Sequence, residues 1–203
     1  MKITYDDILN LVTLARELDS KILLQPILPL GRAKVLLKDK LIIKLNKDKT
    51  INLVNKFIET AIKAYEIYPD GIFIHAPPAL IARYGLKYLK MAHRKCPYKN
   101  MLAVLWDGSI APCAIGISHP ETIIGNIKKD SIIDIWLHPK GYLAMRYVKP
   151  EDFIGVCSRC IFNKYCAGFC IAYSYETYGD YKFSNPYCQL MYDADLFPRE
   201  FLL

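Results

Sequence analysis

The chain has 203 residues, of which 53% are hydrophobic and 23% charged, so it can form a globular domain and is neither disordered nor collagen-like. Its net charge of +7 is spread along the sequence, without the basic stripe that nucleic-acid binding requires, and no run approaches the roughly 18 apolar residues of a membrane helix. We therefore expect a cytoplasmic protein that binds neither nucleic acid nor a membrane, and its excess of Ile and Lys over Gln indicates a thermophile.

The first half of the chain, residues 1–95, contains no cysteine and predicts alternating helices and strands. Apolar residues at helical spacing predict helices over residues 6–18, 50–68 and 80–92. Apolar runs predict strands over residues 21–28 and 71–76, the first of them typical of a parallel sheet. The fold class predicted for this half is α/β, with too few strands for a closed barrel or a full doubly wound sheet.

The second half, residues 96–203, is rich in loops and holds every cysteine of the chain. Asp107-Gly108, flanked by apolar residues, predicts a tight β-hairpin, and a short helix is predicted over residues 131–137. Between residues 156 and 188 the sequence has too few long aliphatic side chains to form a core of its own. We therefore expect a bound inorganic group to stabilise this α+β half.

The cysteines predict a metal centre, because seven thiols cannot pair completely and the cytoplasm keeps thiols reduced. Four of them lie within fourteen residues, at Cys157, Cys160, Cys166 and Cys170. Zinc sites usually take their ligands from two Cys-x2-Cys pairs, and this run has one such pair. Bacterial ferredoxins are similarly crowded, and the last cysteine of their run binds another cluster, so we expect Cys170 to leave the group.

The spacing of all seven cysteines resembles the SPASM domain, the carboxy-terminal extension of radical S-adenosylmethionine (radical SAM) enzymes that modify peptides, proteins and cofactors. Short motifs of that family recur here as Ile124-Gly125-Asn126-Ile127, as Ser131 to Trp136, and as Pro186-Tyr187-Cys188. The resemblance covers residues 96–188 and implies that the second domain spans residues 96–203.

The resemblance also implies the cofactors and their ligands, since the family's seven cysteines hold two auxiliary [4Fe-4S] clusters. Auxiliary cluster II would be bound by Cys157, Cys160, Cys166 and Cys188. Auxiliary cluster I would have three ligands, Cys96, Cys113 and Cys170, because this sequence lacks a further cysteine shortly before Cys96. His93 is the nearest spare ligand for the open position, and the alternative for His93 is an exposed place at the end of the third predicted helix.

Residues 22–33 resemble the last strand of the family's partial (β/α)6 barrel and the turn after it, as in pyrroloquinoline quinone synthesis proteins and peptide maturases. Residues 1–95 would then be the tail of such a barrel. Cleavage of S-adenosylmethionine needs a Cys-x3-Cys-x2-Cys cluster, and this sequence has none, since Cys166-x3-Cys170 is followed by Tyr173. We therefore expect S-adenosylmethionine to act only through a separate amino-terminal half, and the catalytic residues stay unknown.

The leading hypothesis is an iron-sulfur protein that serves electron transfer or the docking of a peptide or protein substrate. It would work with a radical SAM polypeptide or as a homodimer, either of which would cover the strand at residues 22–28. Local covering by residues 35–45 is the alternative for that strand. The alternatives for function are a non-enzymatic interaction module stabilised by zinc or an iron-sulfur group, and a decayed fragment.

Overall fold

The computed structural model describes residues 5–28, 33, 47–92, 96, 98–138 and 141–203. His93 and the covering segment suggested at residues 35–45 lie outside these described residues. Within them, the chain forms short helices and two small sheets connected by many loops, a mixed α/β architecture. No helix of the described part combines the length and the apolar character needed to cross a membrane.

Helices and strands alternate in the first half, as the apolar pattern predicts. Helix α1 (Tyr5–Glu17) precedes strand β1 (Ile22–Leu24), and helix α2 (Lys47–Ile67) precedes strand β2 (Ile72–Ile74). The two strands pair in parallel, which confirms the parallel arrangement. Both are shorter than the apolar runs that predict them, and each run continues into a proline, which lacks the N–H that a ladder requires.

The third predicted helix is not continuous. In place of one helix over residues 80–92, the structure has helix α3 (Pro78–Ala82) and then a 3-10 helix, Leu86–Met91. Gly85 lies between them with a φ of +134°, a conformation that ends the helix and that glycine adopts readily. The apolar spacing was right about burial, because Leu80 and Met91 are fully buried, but wrong about the continuity of the backbone.

The second half contains the predicted hairpin and a series of short helices. Strand β3 (Ala103–Val104) pairs antiparallel with β4 (Ser109–Ala111), and β4 pairs with β5 (Gly125–Asn126). Besides several short 3-10 helices, the described part of this half has the α-helices α4 (Ile132–Leu137), α5 (Asn163–Cys166), α6 (Ile171–Tyr178) and α7 (Pro186–Asp193). Ser131 begins the predicted helix α4, where its hydroxyl accepts a hydrogen bond from the N–H of Asp134.

The largest hydrophobic core joins the two halves of the chain. Ile58 of α2 and Ile74 of β2 pack there with Met191 and Cys188 of α7 and with Phe201. A second, smaller cluster lies entirely in the second half and is formed around Tyr98, Phe153 and Ile171. Helix α7 is therefore anchored by the core of the first half, whereas the segments around Tyr98 have only the smaller cluster to hold them.

Candidate metal centre

Four of the seven cysteine side chains line one small cavity near the shared core. They are Cys157, Cys160, Cys166 and Cys188. The cavity walls are mostly apolar, with Val156, Phe162 and Phe197 among them, and the cavity volume is about 10 Å³, room for roughly one water molecule. This donor set fits an iron-sulfur cluster in its chemistry, and a cluster would require the walls to move apart.

The other three thiols lie together against the smaller hydrophobic cluster. These thiols are half-buried and pack against the hydrophobic cluster that contains Tyr98 and Ile171; they belong to Cys96, Cys113 and Cys170. Burial above all, together with the neighbouring thiols of Cys96 and Cys113, raises the pKa of the Cys170 thiol to about 12. These three cysteines therefore lie near one another, and their binding of auxiliary cluster I stays a prediction.

The thiols of the first group also influence one another. Burial raises the pKa of Cys188 well above its ordinary value, and the charges of Cys157, Cys166 and Cys160 add to the shift. Burial likewise raises the pKa of Cys160 to about 11. Because these surroundings disfavour bare thiolates, a bound cation is the natural means of stabilising the deprotonated sulfurs.

A buried serine connects the segments that carry two thiols of the first group. The N–H of Cys157 donates to the hydroxyl of Ser184 at 2.8 Å, and that hydroxyl donates to the carbonyl of Ile154 at 2.6 Å. Ser184 precedes Asn185, whose side chain accepts from the N–H of Tyr187 at 3.1 Å and so begins helix α7. The start of the Cys188 helix is thereby fixed against the turn that holds Cys157.

A left-handed turn separates the two cysteine groups at the point where they are closest in sequence. Between Cys166 and Cys170, the residues Ala167, Gly168 and Phe169 have φ values of +49°, +73° and +59°. Such a run is costly for non-glycine residues, so it occurs where the surroundings require it. Here the turn reverses the chain after α5, so that Cys166 joins one group and Cys170 the other.

We expect Gly168→Ala to destabilise this turn by about 2–4 kcal/mol, from left-handed strain and a steric clash together. An added Cβ would lie 2.4 Å from a ring carbon of Phe153, whose side chain is buried and has no open path to swing away. Gly179→Ala is the matched control, because Gly179 has nearly the same φ, +72°, and nothing within 4 Å of its added Cβ. Chemical denaturation measures both, and equal losses would show that the Phe153 contact does not matter.

His119 bridges the segments that follow Cys113 and Cys170. Its Nε2 lies 2.7 Å from Oε2 of Glu176 on α6, and its Nδ1 lies 2.8 Å from Oε1 of Glu121. The hydroxyl of Tyr175 donates to the same Glu121 oxygen at 3.2 Å. Burial lowers the pKa of His119, but the hydrogen bonds to Glu176 and Glu121 outweigh burial and raise the pKa above its ordinary value.

The stability that this bridge adds is expected to fall as the pH rises. A histidine whose pKa is raised on folding stabilises the protein fully below the unfolded pKa of about 6.5, and loses that contribution as the pH passes its folded pKa. His119→Gln should therefore cost about 1–3 kcal/mol near pH 6 and less in alkaline buffer. The measurement is the free energy of unfolding of both proteins across pH, and a difference that does not change with pH would contradict it.

No site for a single metal ion is preformed among the described residues, and this holds for the two thiol groups as well. In residues 5–28, 47–92, 98–138 and 141–203, together with Cys96, no three His, Cys, Asp or Glu side chains are arranged to hold a single metal ion. The sequence predicts His119 only as a surface or packing residue and indicates no role for Ser184 or Tyr98, because the contacts of these residues join segments far apart in the chain.

Comparison with known protein families gives a match for the segment that carries the first four cysteines. Residues 96–161 match the family model of SPASM, an iron-sulfur cluster-binding domain. The matched segment contains Cys96, Cys113, Cys157 and Cys160, and the remaining three cysteines follow it. No curated protein and no solved structure matches the chain.

Proposed function

We propose that this SPASM-domain protein binds two [4Fe-4S] clusters and uses them for electron transfer or substrate docking in the maturation of a peptide, protein or cofactor. The family match supports the binding of iron-sulfur clusters. The observation that carries the proposal of two clusters is that four of the seven thiols line one cavity, whereas the other three pack against a hydrophobic cluster in which Cys157 is the only member of the first group.

The four thiols of the first group would hold auxiliary cluster II. Cys157, Cys166 and Cys188 are buried, and most of the residues around them are apolar. Iron-sulfur clusters supply one-electron redox chemistry, with a potential set by burial, charge and hydrogen bonds to sulfur. A fully thiolate-bound, dry site favours an electron-transfer role for this group.

The three thiols of the second group would hold auxiliary cluster I and leave one ligand position for another molecule. Cys113 lies just beyond strand β4, and its sulfur accepts a hydrogen bond from the N–H of Ile115 at 3.5 Å. Cys170 immediately precedes helix α6. A substrate amide, a thiol, water or the side chain of His93 would complete the ligands. This position favours a docking role for cluster I.

The partner of this chain would be a radical SAM polypeptide that supplies the site for S-adenosylmethionine, or a second copy. Strand β1 pairs with β2 alone among the described strands, and Leu23 is 46% exposed. An exposed apolar strand is a pairing template. Gln25→Glu, at an exposed position beside this strand, is expected to weaken the assembly in sedimentation experiments on cluster-loaded protein. A strict monomer that ignores a radical SAM partner would contradict it.

The test of the function is the metal content after anaerobic reconstitution. We expect about eight iron and eight sulfide per chain, with the broad absorption of iron-sulfur clusters near about 400 nm. Fewer than about five iron at saturation would contradict two four-iron clusters. Stoichiometric zinc in a colourless, anaerobically purified protein would instead support the metal-stabilised interaction module.

A further inference from the structure

Tyr98 follows Cys96 by two residues and is almost completely buried, with 3% of its surface exposed. Its ring packs in the smaller hydrophobic cluster, against which Cys96, Cys113 and Cys170 also pack. Burial above all, together with the charges of Cys96 and Cys166, one from each group, raises the pKa of Tyr98 to about 12. Tyr98 is therefore within electrostatic reach of both sets of thiols.

The hydroxyl of Tyr98 has no hydrogen-bond partner among the described residues, although it is buried. Burying a hydroxyl without a partner costs stability, and phenylalanine would fill nearly the same space without that cost. The other tyrosine that packs against this cluster from α6, Tyr175, uses its hydroxyl to bind Glu121. The unpartnered hydroxyl is within electrostatic reach of Cys96 and Cys166, whose sulfur atoms become strong acceptors once they are deprotonated.

We propose that the hydroxyl of Tyr98 donates a hydrogen bond to a sulfur of auxiliary cluster I and so raises the reduction potential of that cluster. This inference rests on the proposed function. A donor on a cluster sulfur withdraws electron density and favours the reduced state, which carries the additional negative charge. We assign the bond to cluster I because all three of its thiols pack against the hydrophobic cluster that contains Tyr98, whereas Cys157 is the only thiol of the other group in that cluster.

The test compares Tyr98→Phe with wild type and with the control Tyr175→Phe, all reconstituted anaerobically. Iron content is measured first, and a redox titration followed by electron paramagnetic resonance then gives the potential of each cluster. Tyr98→Phe is expected to lower the potential of cluster I more than that of cluster II. The control is expected to change neither, since the hydroxyl that it removes is bound to Glu121.

Cluster-free protein gives an independent readout. There Tyr98→Phe is expected to melt no lower than wild type, because it removes a buried hydroxyl that lacks a partner. Full iron content with unchanged potentials would overturn this inference and leave the proposed function intact. A shift or depletion confined to cluster II would overturn the assignment, and depletion confined to cluster I would support it. Absence of iron from wild type would overturn the proposed function itself.

Discussion

Cys188→Ala is expected to abolish auxiliary cluster II while leaving cluster I, and Cys113→Ala is expected to remove mainly cluster I. Cys188 lies on α7 and shares its cavity with three other thiols, whereas Cys113 follows strand β4 and packs with the other group. Iron should fall from about eight to about four per chain in each variant. The two variants should lose different signals in electron paramagnetic resonance spectra of the reduced protein.

The control for these variants is Ser158→Ala. Ser158 lies in the same turn as Cys157, and its hydroxyl donates to the carbonyl of Gly155 at 2.8 Å. Ser158 does not line the cavity formed by the four thiols. It should retain about eight iron. If Cys188→Ala and Cys113→Ala depleted the same cluster signal, the division of the seven cysteines between the two clusters would be wrong, even if the total iron content were as expected.

Features set by neighbours in sequence could be predicted from the sequence. The hairpin at Asp107-Gly108 depends on a turn that these two residues favour, and the helices α1 and α2 follow from apolar periodicity. The interruption at Gly85 could not be predicted in this way. A helical apolar face looks the same whether the backbone continues or turns, since burial and not hydrogen bonding sets the pattern.

In the candidate site, the cysteines could be predicted from the sequence, whereas the polar contacts between distant segments could not. Cysteine spacing carries information because a thiol has few other uses at such density, and the structure places four of the cysteines around one cavity and the other three against one hydrophobic cluster. Ligation itself stays a prediction. The bridge from His119 to Glu176 spans 57 residues, and the bond from Cys157 to Ser184 spans 27. Contacts over such separations depend on tertiary packing, and ordinary polar residues give no spacing rule for them.

Removal of iron by a chelator is expected to release the smaller hydrophobic cluster and to spare the larger core. The ligands come from separated segments, so metal binding supplies part of the free energy that brings these segments together. Amide hydrogen exchange over residues 156–178 should become at least about tenfold faster, equivalent to about 1.4 kcal/mol of local stability. Helix α2 is the internal control, because its buried face packs in the larger core.

Helix α7 makes this expectation more specific, because it carries a proposed ligand and yet packs on the core of the first half. Met191 is fully buried there beside side chains of α2, so α7 should retain more protection than α6, whose Ile171 packs in the smaller cluster. The comparison of α6 with α7 separates loss of the metal from general unfolding. Protection that persists across residues 156–178 after complete removal of iron would show that the fold of the second half does not depend on the clusters.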